Sequence, residues 1–135
     1  MILADTTIWI EHFRQNQILL ADMLLKGSVL MHPFVCGELA CGSFKDRTSS
    51  LFDLNALPFA ELASHEEVMR LVEDRKLWSR GFGWIDAHLL ASALLSHCRL
   101  WTMDKSLLHA ATELGVNLRL TPSTSPSTLL HPAQH

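Results

Sequence analysis

The sequence predicts an α/β domain, an α/β/α sandwich around a mainly parallel sheet of about four to five strands. Three observations carry this expectation. Apolar runs of strand length, such as Met1 to Ala4 and Ser28 to His32, recur along the chain and stop abruptly at polar residues. Between them lie longer stretches with apolar residues at helical spacing. At 135 residues and 48% hydrophobic, the chain has apolar matter for one core and little room for a second.

Met1 to Ala4 reads as a strand buried on both faces, and Asp5-Thr6-Thr7 as the N-cap of the next helix. Ile8, Trp9, Ile10 and Phe13 give that helix its apolar spacing, and Ile18 through Leu25 forms a second helix ending at Gly27. Ser28 to His32 is the second strand. Pro33 can open a helix through Glu38 to Gly42, because its missing N–H is unneeded in a first turn. Lys45 to Arg47 is expected to be a charged loop, Ser49 to Asn55 a helix and Leu57 to Leu62 a weak strand.

Ser64 and Glu67 have the spacing of a capping box, and the helix they start should run to about Arg80. Gly81-Phe82-Gly83 breaks the chain before a strongly apolar helix, Trp84 to His97. Arg99 to Met103 is a strand ending at Asp104, Lys105 to Leu114 a helix capped by Gly115, and Val116 to Leu120 the last strand. Residues 1–121 form the expected domain. Residues 122–135 carry Pro122, Pro126 and Pro132 without periodicity and are expected to be a loosely held tail.

No apolar run approaches the roughly 20 residues that cross a bilayer, and the N-terminus lacks a signal-peptide pattern, so a soluble cytoplasmic protein with no membrane role is expected. Cys36, Cys41 and Cys98 are too few and too irregular for a disulfide framework or zinc site and read as small buried hydrophobes. The net charge of -3 shows no basic excess. With four of the fourteen acids set aside in one pocket, however, the remaining surface is mildly basic, which suits a polyanion.

Four acids stand out. Asp5 and Asp104 each end a strand, and open α/β sheets bind ligands beyond the carboxyl ends of their strands. Either could serve as a helix cap alone, but a cap can also face a site. Asp86 lies in the first turn of its helix with Leu89, Leu90 and Ala93 at the following helical positions, which should turn it inward. Glu38 has Phe34, Val35 and Cys41 as helical neighbours. Burying one unpaired carboxylate is costly, and clustering four raises their pKa values unless a cation holds them ionised. Oxygen-only donors select Mg²⁺, with Mn²⁺ as a substitute, and the reaction that fits is metal-assisted phosphodiester hydrolysis.

The blocks I-L-A-D-T-T-I-W-I-E, G-E-L-A-C-G, G-F-G-W-I-D-A-H-L-L-A-S-A and W-T-M-D-K-S-L resemble the PIN-domain ribonucleases, specifically VapC-type toxins of toxin–antitoxin pairs. The resemblance spans about residues 1 to 120 in the right order. It implies a Mg²⁺-dependent endoribonuclease with RNA as substrate, a cognate antitoxin as partner, and a homodimer. Position by position it implies Asp5, Glu38, Asp86 and Asp104 as catalytic and metal-binding acids. Thr6, Thr7 and Thr102 then stand where hydroxyls would orient those acids or a water.

Weaker signals have plainer readings. Lys45, Arg47, Arg80 and Lys105 are candidate RNA contacts, as are Arg75 and Lys76, though neighbouring acids dilute any basic stripe. His88 and His109 read as structural. Trp9, Trp84 and Trp101 read as core or interface aromatics, and Trp78 is the tryptophan expected at the surface. Gly81-Phe82-Gly83 lacks the preceding strand of a dinucleotide fingerprint. Two rivals remain at this level: a catalytically silent PIN-like binding module, and another α/β phosphoryl-transfer domain. Against the second, Asp5 lacks an acidic neighbour, and Thr7 fills the second acid position of a D-x-D phosphatase motif.

Overall fold

The structure is a computed structural model, and it describes residues 1–119. The expected tail, 122–135, lies outside the described residues. Three parallel strands form the sheet: β1 (Ile2–Ala4), β2 (Val29–Leu30) and β3 (Arg99–Trp101), in the order β2-β1-β3. The register pairs Ile2 with Val29 on one side of β1 and with Arg99 on the other.

The strand count is a correction. Of the expected strands, Leu57–Leu62 and the described part of Val116–Leu120 each contribute a single parallel bridge, Met31 with Phe59 and Leu100 with Asn117; Leu120 lies outside the described residues. Leu57 and Leu62 have the right composition, but Pro58 removes a ladder donor and only its carbonyl is used, accepting the Met31 N–H at 2.8 Å. Among the described residues the sheet therefore has three strands with a one-residue extension at either edge.

Ile2, Leu3 and Ala4 are all buried. Successive strand side chains point to opposite faces, so both faces of β1 are covered, which requires helices above and below. Those helices are α1 (Thr6–Gln15), α2 (Ile18–Leu25), α3 (Pro33–Ala40), α4 (Arg47–Asn55), α5 (His65–Asp74), α6 (Trp84–Ser96) and α7 (Lys105–Glu113). Leu3, Ile8, Trp9, Leu20, Met31, Leu89, Leu90, Leu100 and Leu107 are its largest fully buried apolar side chains. Each contributes roughly 1.5–3 kcal/mol through burial.

The helix starts follow local chemistry. Asp5 caps α1 through Ile8 N–H, and Asp104 caps α7 through Leu107 N–H. His32 caps α3, its Nδ1 accepting from Phe34 N–H at 3.0 Å, with Pro33 in the first turn. Ser64 and Glu67 form the expected capping box of α5, which stops at Asp74 rather than near Arg80. Lys76 and Ser79 take positive φ in the following segment, so the helical path is already broken there. Arg47, expected in a loop, opens α4. Cys36 and Cys98 are buried as expected, whereas Cys41 is exposed at the end of α3.

Candidate active site

Asp5 links the sheet to the site. Its N–H donates to the Trp101 carbonyl at 2.9 Å, extending the β1–β3 register, while its carboxylate lies at the carboxyl end of the sheet, 4% exposed. Oδ1 accepts from Thr7 Oγ1 at 2.5 Å and from Ile8 N–H at 3.3 Å, and Oδ2 accepts from Thr102 Oγ1 at 2.5 Å.

The two hydroxyls are held in one sense. Thr102 Oγ1 accepts the Asp104 N–H at 3.0 Å, and Thr7 Oγ1 accepts the Met103 N–H at 3.1 Å. With a lone pair on each oxygen occupied, each O–H proton is free to point at Asp5. Burial pushes the Asp5 carboxyl up from its ordinary value, and the hydrogen bonds from Thr102, Thr7 and Ile8 pull part of the way back.

Thr102 thereby ties Asp5 to Asp104. Asp104 is exposed, with Oδ1 accepting from Leu107 N–H at 3.0 Å. Glu38 projects from α3 and is also exposed, contrary to the apolar surround its neighbours suggested. Phe34 is partly exposed itself, so that face of the helix is not core. Thr6, the first residue of α1, donates to Glu38 Oε1 at 2.9 Å.

Asp86 closes the group. It is half-buried in the first turn of α6, and its Oδ2 accepts the Gly83 N–H at 3.1 Å. Gly81 prepares this turn: its φ is +88°, a left-handed conformation that favours glycine, and a Cβ there would stand 2.8 Å from Ser106 Oγ and force that side chain to move. Burial raises the Asp86 carboxyl, the Gly83 N–H lowers it, and the charges of Asp104, Asp5 and Glu38 raise it further. All three other acids are within electrostatic reach of Asp86.

This is a concentration of negative charge with no ion pair to any of its members among the described residues. The donors are all oxygen, which suits a hard divalent cation. Among the described residues no three His, Cys, Asp or Glu side chains are gathered tightly enough to enclose an ion by themselves. A magnesium ion commonly takes only one or two carboxylates and keeps its waters, so the donor set fits a hydrated ion and not a closed protein cage.

The basic candidates are dispersed. Arg80 pairs with Glu113, which His109 also approaches at 3.1 Å, and Arg47 donates to the Ala40 carbonyl at 2.5 Å. Both are thus engaged within the chain, while Lys45 and Lys105 are exposed. Trp9 and Trp101 are buried, Trp84 is partly exposed and Trp78 is exposed, as expected. His88 is buried, with Phe34 and Trp84 ring centroids both 4.7 Å away.

One residue escaped the sequence reading. Arg14 lines a cleft of about 460 Å³ with Thr7, Ile10, Glu11, Gln15, Met103 and Asp104, and a second of about 280 Å³ that includes Glu38. Thr7, Ile10, Glu11 and Arg14 follow helical spacing on one face, and that signal was available once Thr7 was placed at the site.

The chain is 47% identical over 119 residues to Ribonuclease VapC32 of Mycobacterium tuberculosis, in strains CDC 1551 / Oshkosh and ATCC 25618 / H37Rv; the match covers 87% of this chain and 96% of the relative. Among solved structures it is similar in fold to PAE2754 from Pyrobaculum aerophilum, with a TM-score of 0.54 at 17% identity, over 80% of this chain and 77% of that one. No family model matches. An α/β fold with Asp5 at the carboxyl end of a parallel sheet, together with near full-length identity of this degree, places the chain in the VapC-type family of PIN-domain ribonucleases.

Proposed function

We propose that this chain is the toxin of a toxin–antitoxin pair, a Mg²⁺-dependent endoribonuclease that hydrolyses RNA phosphodiester bonds at Asp5, Glu38, Asp86 and Asp104. The observation that carries the proposal is the hydroxyl linkage at the carboxyl end of the sheet, where Thr102 joins Asp5 to Asp104 and Thr6 reaches Glu38, in a chain so similar to a ribonuclease. Asp5 and Asp86 are the residues to hold the ion, with Glu38 and Asp104 completing the negative wall. When bound, the ion supplies charge compensation to the carboxylates and Lewis acidity toward a phosphodiester oxygen.

The protein's own part is positioning. Thr7 and Thr102 hold both oxygens of Asp5 in a fixed direction, Thr6 holds one oxygen of Glu38, and Gly83 holds one of Asp86. Each acid therefore presents its remaining lone pairs without having to reorganise as substrate arrives. A cognate antitoxin that covers this wall, a homodimeric toxin and a cytoplasmic location complete the reading. Among the described residues no helix is long and apolar enough to cross a membrane.

Purified protein incubated with cellular RNA should cleave it in Mg²⁺ or Mn²⁺ and stop on addition of EDTA. Undiminished cleavage by the Asp5→Asn, Asp86→Asn double variant would remove the site from the reaction.

A further inference from the structure

An RNA nuclease with a wall of carboxylates has an electrostatic problem. Its substrate carries a negative charge at every phosphate, and the acids repel it wherever the metal does not reach. Some cation beside the wall must hold the strand. The candidates named from sequence do not supply one at the clefts, since Arg80 and Arg47 are engaged elsewhere and neither Lys45 nor Lys105 lines either cleft.

Arg14 does. It lies in the last turn of α1, exposed, with no ion pair among the described residues. It and Ile10 are shared by the two clefts, one of which holds Thr7 and Asp104 while the other holds Glu38. No other lysine or arginine lines either cleft. A guanidinium in that position meets a strand on either side of the acids, with a planar set of donors matched to phosphate oxygens. The second cleft is also lined by Phe13, Phe44 and Leu39, beside Gly42 and Ser43, and Phe13 and Phe44 stack at 4.6 Å. It therefore offers apolar contact beside the charge.

We propose that Arg14 is a substrate-positioning residue that binds an RNA phosphate next to the acidic site, a role that rests on the RNA-cleaving reading above. Its simplest alternative is a favourable cation at a helix C-terminus, which would contribute to stability and nothing else.

The test is binding of a short, labelled, single-stranded RNA of randomised sequence, read by fluorescence anisotropy in EDTA across a salt series, so that cleavage does not enter. Wild type, Arg14→Ala and Arg14→Lys are compared, with melting temperatures to confirm that all three fold. Arg14→Ala should weaken binding about tenfold and lower the salt slope by about 0.7, the value for one phosphate of a single strand, and Arg14→Lys should keep the slope. In a parallel cleavage assay with Mg²⁺, Arg14→Ala should raise KM and leave kcat nearly unchanged. Equal affinity and slope in wild type and Arg14→Ala would overturn the proposal, as would a change in melting temperature alone. Wild type that binds with this Arg14 dependence but never cleaves would defeat the nuclease reading while leaving the phosphate contact standing.

Discussion

Thr102 Oγ1 accepts the Asp104 N–H at 3.0 Å and donates its own O–H to Asp5 Oδ2 at 2.5 Å, so one hydroxyl joins acids 99 positions apart in the chain. Removing it should disturb both. Thr102→Val keeps the shape but leaves a backbone N–H and a buried carboxylate oxygen without their partner. Stability should fall by about 1–3 kcal/mol in urea unfolding. RNA cleavage should fall by roughly 10- to 100-fold, as for other groups that orient metal-binding carboxylates. Wild-type cleavage by Thr102→Val would mean that Asp5 does not need this orientation.

Asp86→Asn and Asp5→Asn should both stop cleavage, yet differ in stability. Asp86 is raised by burial and by three neighbouring charges, so neutralising it relieves repulsion, and an amide oxygen can still accept the Gly83 N–H. Its stability at pH 7 should equal or exceed that of wild type. At Asp5 both Thr7 and Thr102 donate, and an amide can present only one oxygen, so the gain is offset by a donor facing a donor. Chemical denaturation of the two variants side by side checks the contrast.

The same repulsion gives metal removal a readout besides activity. Mg²⁺ or Mn²⁺ binding should raise the melting temperature, by an amount equivalent to about 2.7 kcal/mol once the ion reaches a hundred times its Kd. Asp86→Asn should blunt the shift, and Ca²⁺ or EDTA controls separate it from general salt effects. Wild type with no shift at millimolar ion would show that these acids do not gather a cation.

His32 gives the fold an acid limit. Burial, with His88 nearby, lowers its imidazole from 6.5 to about 4, and its Nδ1 must stay unprotonated to cap Phe34. The unfolded chain therefore binds the proton more readily than the native one between those values. The contribution is full above pH 6.5 and is lost as pH falls toward 4. His32→Asn, which can still cap the helix, should flatten that part of the stability–pH curve.

The sequence by itself determined the order of elements, most helix starts and which acids stand at strand ends. These are local matters: an Asp after an apolar run, a proline in a first turn and a Ser64–Glu67 pair need only their neighbours. It overstated the sheet because Leu57–Leu62 and Val116–Leu120 are apolar enough for strands, and whether they pair beyond one residue depends on the facing edge. It also misjudged Glu38, since apolar neighbours along a helix do not reveal whether another element covers that face. Only the tertiary structure decided that Asp86 lies within reach of the charges of Asp5, Glu38 and Asp104, and that Arg14 stands by clefts holding Asp104 and Glu38. The reason is physical: charge interactions depend on separation in space, and parallel pairing of β1 with β3 brings together residues that the chain keeps almost a hundred positions apart.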